Sequence, residues 1–461
     1  MTFLRAFLCR CTEQERYKLK LLDLKGNEYE VLLETIKQRT NTDFDDTEIQ
    51  NKFNLTKSYF DKINSVLLDK CLSALTPNGT YNDILSLILA KDMPDLLKHE
   101  IKIWERRILK TKDSNEITTF YYRTFQFLRR MPANVFDMEM LLKYKNLYLK
   151  HKKDRSEEDE LEIAAMVLAT QVFIEAVQGN MNTFSEKYHL ELKRLKTEIG
   201  TKQYYKANFH TKLAEANYYD YYTSDFNALV NALKYAMEHY DKAQGGIDVT
   251  YKVYAITKLA KAYCHGSYFG EAMKIYDEAF SLFAAELSLN PYHPTMYAIV
   301  AIINGKYKEA EKMMNENLLH LLNNEKPGTL DFDIYRTYAI LYMNQSMFDK
   351  AFYYLEEALK FRRTEISLLG DILLRMVHNA FFVMSGDLAT AKTTLKRNFK
   401  FLALKEKDAM VQEYTGYFKM IKQVIRYKEG KKLPKDFTEQ MTPYRQGIMK
   451  LYGDLLDKMV D

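Results

Sequence analysis

Between Tyr251 and Phe401 one arrangement of small and large residues recurs four times, and this recurrence restricts the fold more than any other feature. Ala272, Ala310, Ala351 and Ala391 follow one another at intervals of 38, 41 and 40 residues. Twelve positions before each stands another short side chain: Ala260, Ala298, Ala339 or Asn379. Nine before stands Tyr263, Ala301, Tyr342 or Phe382, and four after stands Tyr276, Met314, Leu355 or Leu395. Polar turns precede the alanines, as at Gly266, Asn304–Tyr307 and Ser385–Asp387. Two antiparallel helices approach closely only where a side chain is nearly absent. Large apolar residues bracketing small ones at a fixed period therefore predict stacked helical hairpins.

The composition agrees. In 461 residues Gly (16) and Pro (8) are scarce while Tyr (35) and Phe (26) are abundant, and sheet-rich chains need more turn residues. A charge of +5 from 67 basic and 62 acidic side chains is too even for binding nucleic acid along the whole chain. It is also too weak to draw the protein to an anionic membrane. No apolar run approaches the ~20 residues that span a bilayer, and the one near the amino terminus is broken by Arg5 and Arg10. Cys9, Cys11, Cys71 and Cys264 show neither a disulfide framework nor zinc spacing. A cytoplasmic protein without a membrane partner is expected.

The clearest copy of the repeat reads Leu259, Ala260, Tyr263, Gly266, Tyr268, Ala272, Tyr276, Ala279. It resembles the tetratricopeptide repeat, with intervals above the family's ~34 residues; longer helices or another α-solenoid family would account for the difference. The resemblance implies an all-α fold, a right-handed α-solenoid of tetratricopeptide-like hairpins. It also implies a concave groove that holds a peptide or protein partner on the first helix of each hairpin. Carried onto this chain, it puts Asn217, Tyr221, Tyr254, Lys258, Lys261, His265, Met296, Ile299, Arg336, Met343 and Met376 on that wall. Asn217, Lys258, Lys261 and Arg336 make an incomplete set for gripping a terminal carboxylate. The Met-rich wall suits a hydrophobic or helical ligand better. In the competing reading several of these side chains simply pack between helices.

Four regions follow from the pattern: an N-terminal helical module (1–110), hairpins that read as degenerate repeats (116–200), the solenoid (201–430) and a capping helix (431–461). In the last, Thr442 and Pro443 open a helix with Ile448, Tyr452, Leu455 and Met459 on one face, as an open stack needs to cover its end. The spacing also predicts helices over 27–38, 94–109, 120–130, 134–150, 161–178 and 182–196. Ser156 is expected to cap an acidic first turn. The aromatics from Tyr204 to Tyr222 read as core rather than as a stacking platform for nucleic acid.

Within the first module, Asp46–Phe53, a turn at Leu55 and a helix from Tyr59, with Ser58 as cap, resemble a helix-turn-helix. In that reading Lys57, Lys62 and Asn64 stand near bases or phosphates. The alternative is an ordinary corner packing Ile63, Val66 and Leu67. Residues 1–110 hold 18 basic and 17 acidic side chains, where phosphate neutralisation wants an excess, so nucleic acid is not the favoured partner.

No Gly-rich phosphate loop, H-E-x-x-H or Gly-x-Ser-x-Gly occurs, and no two of the nine histidines stand three or four residues apart. No catalytic residue, metal or cofactor is therefore expected. The resulting expectation is a non-enzymatic, cytoplasmic protein-interaction scaffold. The alternative is a transcriptional regulator with a DNA-binding N-terminal module and a solenoid that senses a partner.

Overall fold

The computed structural model of the chain describes residues 2–40, 45–76, 80–91, 93–129, 131, 136–178, 181–288, 291–319, 322, 329–361, 367–405 and 409–460. Among the described residues there are 24 α-helices and no strand. They form two compact units, the first ending at Thr223 and the second beginning at Ser224. The stretch from 201 to 223, expected to open the solenoid, thus belongs to the first unit.

The first unit comprises α1 (Phe3–Arg10), α2 (Glu13–Lys20), α3 (Asn27–Gln38), α4 (Asp46–Lys52), α5 (Lys57–Leu75), α6 (Tyr81–Ala90), α7 (Pro94–Thr111), α8 (Ser114–Leu128), α9 (Met138–His151), α10 (Glu157–Val177), α11 (Met181–Ile199) and α12 (Tyr205–Tyr218). Thr12, Asp45 and Ser156 each close a capping box with Glu15, Glu48 and Asp159 respectively, satisfying amides that a helix start leaves bare. The long α5 is packed on by α1, α2 and α3. Its cap is Thr56 rather than Ser58: the Tyr59 amide donates to Thr56 Oγ1 over 3.3 Å. Further along, α10 and α12 lie closely together, because Ala165, Ala169, Ala207 and Ala214 are buried methyls that keep the gap narrow. A π-helical turn, Tyr219–Thr223, continues α12. There the Tyr218 and Tyr222 rings stack at 5.7 Å and Tyr188 meets Tyr222 edge-on at 5.8 Å, so these aromatics pack on one another.

Glu100 of α7 is 1% exposed. Burial, with Asp69 adding and Arg107 opposing, pushes its carboxyl from 4.5 up to about 7. The folded chain then holds a proton that the unfolded chain releases. Its contribution is complete below pH ~4.5, falls as pH rises toward ~7 and is flat beyond. Glu100→Gln is therefore expected to gain stability relative to the parent chain between pH 5 and pH 8, by up to ~3 kcal/mol. Melting midpoints of both proteins at the two pH values check this; a difference that does not change with pH would refute it.

The second unit holds α13 (Phe226–Lys242), then four consecutive pairs: α14 (Val249–His265) with α15 (Phe269–Ser288), α16 (Tyr292–Ile303) with α17 (Tyr307–Asn317), α18 (Thr329–Asn344) with α19 (Phe348–Lys360), and α20 (Leu368–Met384) with α21 (Leu388–Ala403). After them come α22 (Ala409–Lys428), the short α23 (Phe437–Gln440), two 3-10 turns (Thr442–Arg445 and Gly447–Met449) and α24 (Lys450–Val460). The single closing helix expected from Thr442 is thus a broken one, reset at Gly447, whose φ is +50°.

The four pairs share a turn that explains their period. Ser267, Gly305, Ser346 and Gly386, each five before its repeat alanine, have φ of 67°, 72°, 58° and 83°. In the first three, the next amide reaches back five residues: Tyr268 to the Tyr263 carbonyl at 2.8 Å, Lys306 to Ala301 at 2.8 Å, and Met347 to Tyr342 at 2.9 Å. This bond satisfies a carbonyl that the ending helix leaves bare and turns the chain back on itself. Ala272, Ala310, Ala351 and Ala391 are all fully buried, as are Ala260, Ala298 and Ala339. Asn379 replaces alanine in the last copy for a reason: its Nδ2 donates to the carbonyl of Ala391 at 3.2 Å, and its Oδ1 accepts from Asn398 at 2.6 Å. Arg375 in turn donates to Asn398 Oδ1 at 2.9 Å. Along the unit, α16, α18, α20 and α22 pack neighbour to neighbour and form a continuous row.

Candidate protein-interaction surface

Met296, Ile299, Arg336, Met343 and Met376 of the expected partner-facing residues fall on that row of helices, and it already carries a helix. α24 packs against α16, α20 and α22. Five of its side chains, Leu451, Tyr452, Leu455, Leu456 and Met459, are buried in the same cluster as Met296, Ile299, Met343 and Met376. Polar contacts fix its register. Lys458 Nζ donates to the Asn344 carbonyl at the end of α18 over 2.6 Å, and the Tyr417 hydroxyl of α22 donates to the Tyr452 carbonyl over 3.2 Å. Burial pushes the Tyr452 phenol up to about 12, with nearby Arg336 opposing the shift.

The approach to α24 is held by a wedge. Tyr444, in the first 3-10 turn, sits against two helical glycines. A Cβ added to Gly453 of α24 would lie 2.1 Å from the Tyr444 carbonyl oxygen, and one added to Gly416 of α22 would lie 2.6 Å from its hydroxyl. Absence of a side chain, rather than backbone freedom, is what these glycines supply. The following turn is tied to the end of α14 by the Gly447 amide, which donates to Ser267 Oγ at 3.0 Å.

The individual residues divide as follows. Met343 and Met376 have no exposure, and Met296 and Ile299 are buried; with α24 in place they are core positions and not an open wall. Arg336 is also buried and donates to Asp333 at 2.8 Å. On α14 the expected residues do share one face: Tyr254 is 37% exposed, with the Lys258 ammonium 5.8 Å from its ring centre. Lys258 itself is buried, Lys261 half-buried and His265 exposed. Asn217 and Tyr221 lie in the first unit. Asn217 is buried and donates to the Ala169 carbonyl at 3.0 Å, while Tyr221 meets Phe173 edge-on at 6.0 Å.

At the helix-turn-helix resemblance the turn has the expected buried Leu55 beside Asn54, whose φ is +50°. Lys57 and Lys62 are exposed, but so is Asp61. Asn64, expected near a base, is buried instead and donates Nδ2 to the Phe60 carbonyl at 3.0 Å. It lies on the face with Ile63 and Leu67 that packs inward, so it cannot read a groove.

The nearest approach to acid–base chemistry is Glu162 with His210, 3.6 Å apart. Burial pushes the glutamic acid up to about 7 and drives the histidine well below its ordinary value. With 7% and 1% exposure, both side chains of the pair are enclosed. Among the described residues no cluster of three metal-binding side chains occurs, and no helix is long and apolar enough to cross a membrane. The four cysteines are buried and free.

The feature that sequence reasoning missed is the placement of α24. A signal was present: Gly453 interrupts an otherwise good helical pattern, which marks close approach of another backbone. The chain matches no family model and no curated protein.

Proposed function

We propose that this protein is a non-enzymatic interaction scaffold, a right-handed solenoid of tetratricopeptide-like hairpins whose concave wall recognises amphipathic helices. The observation that carries this reading is α24 itself. It seats an apolar face on the row α16–α18–α20–α22 while Lys450 and Asp454 pair along the helix and Arg445 pairs with Asp457. This is helix-in-groove recognition, made within one chain. A partner helix of the same chemistry would compete with α24 for the wall. Its apolar residues would set the residence time and its charges the encounter rate.

The test uses the chain's own helix as probe. A synthetic peptide of residues 442–460 should raise the melting midpoint of a full-length variant whose α24 is loosened by Gly453→Ala, since a ligand that binds only the folded state stabilises it. The same peptide should leave the parent chain unchanged, because its wall is filled. If the peptide neither binds nor stabilises the variant, the wall is not a helix-recognition surface.

A further inference from the structure

The positive charge of this chain is concentrated in one place. Residues 388–435 contain 13 Lys or Arg and 4 Asp or Glu, a balance of +9, whereas the entire chain carries +5. Much of this charge surrounds a groove of about 600 Å³ between α21 and α22. Lys392, Lys396 and Lys400 recur every fourth residue along one exposed edge of α21, and Lys422 and Arg426 do the same on α22. The groove between them is floored by Leu395, Phe399 and Ile425. Lys392 is paired with Glu429. Among the described residues no ion pair holds the other four cations of the two rows. Like charges at i, i+4 repel, so the free chain bears a strain that an anionic ligand would relieve.

We propose that this groove docks an amphipathic helix of a partner protein, with acidic side chains on both flanks of an apolar stripe. The surface differs from the wall covered by α24, and the inference stands independently of that reading. Three features select the occupant. First, the floor is apolar, so the ligand must bring apolar surface to it, which a phosphodiester backbone lacks. Second, the cations form two facing rows with a repeat of four residues. A helix laid lengthwise presents acidic residues at that same spacing, and the ~12 Å from Lys392 to Lys400 spans about two of its turns. Third, Leu395 and Ile425 are buried and Phe399 half-buried while the five cations are exposed, so a flat anionic bilayer would meet the charged side chains and leave most of the apolar floor untouched. Apolar surface continues past the end of the groove at Leu404, which is 83% exposed.

The experiment measures binding of the full-length protein to a labelled, designed peptide of about four helical turns, with a leucine stripe between two glutamate flanks. A peptide of the same composition with the periodicity scrambled, a single-stranded oligonucleotide of equal charge and phosphatidylserine vesicles serve as comparisons. The periodic peptide should bind at least about tenfold more tightly than each of them. Lys396→Glu with Lys400→Glu should weaken it at least about tenfold, chiefly by slowing association. Ala403→Asp, at an exposed position lining the groove, should weaken it without lowering the melting midpoint. Lys312→Glu, at an exposed lysine of α17, should have no effect. Equal binding of the scrambled peptide, or tighter binding of the oligonucleotide or the vesicles, would overturn the proposal and assign the groove to general anion, nucleic-acid or membrane contact.

Discussion

Gly453→Ala is expected to destabilise the protein, although the same change inside a helix ordinarily stabilises it by up to ~1 kcal/mol. The sign reverses because the new methyl would stand 2.1 Å from the Tyr444 carbonyl oxygen and 2.9 Å from its carbonyl carbon. Neither atom is the end of a flexible side chain, so α24 must shift off the 3-10 turn behind it. Loss of native packing of this kind costs ~2–4 kcal/mol. Hydrogen exchange locates the effect: amides of α24 should lose protection, while those of α10 and α12 in the other unit should not. A stabilised or unchanged variant would mean that the wedge of Tyr444 between Gly416 and Gly453 does not hold the C-terminal helix in place.

Ala310→Arg should have a larger effect on the second unit. Ala310 has no exposure and belongs to the cluster that contains Ala298, Met314 and Tyr338. An arginine there overfills the contact between α16 and α17 and puts an unpaired charge where no water follows. The combined cost exceeds ~4 kcal/mol, enough to unfold an ordinary domain at modest temperature. The measurement is the melting midpoint of the second unit, with Lys308→Arg on the exposed side of α17 as the comparison. An unchanged midpoint for Ala310→Arg would place the repeat alanines outside the helix contacts.

The repeat was legible because its cause is local. A buried alanine, a left-handed turn residue five before it and an acceptor carbonyl nine before it all lie within one hairpin, so their spacing survives in the sequence. Helix starts were legible for the same reason, as at Ser156 and Pro94. What covers the first-helix row was not. The pattern of Met296, Ile299, Met343 and Met376 declares these positions apolar, and apolarity is the same whether they face a partner or the chain's own α24. Only a contact spanning more than a hundred residues, such as Lys458 to Asn344, distinguishes the two cases. Asn64 failed for a related reason: a polar residue near a helix start looks available, yet its amide turns back onto the Phe60 carbonyl. The cationic groove escaped notice because a balanced whole-chain charge conceals a local excess.

The substitution of Asn379 for alanine has a consequence for how the chain reaches this state. Hairpins built on one template offer nearly interchangeable faces, and a folding intermediate that pairs α20 with a wrong second helix would bury much the same apolar surface. Alanine at every copy would leave such errors almost unpunished. Asn379 is satisfied only by the Ala391 carbonyl and the Asn398 side chain, both on α21. Any other pairing would strand a buried amide, at ~1–3 kcal/mol. One polar residue in four otherwise similar copies therefore acts as an address label, directing α20 to its own partner and against the misassembly to which repeat chains are prone.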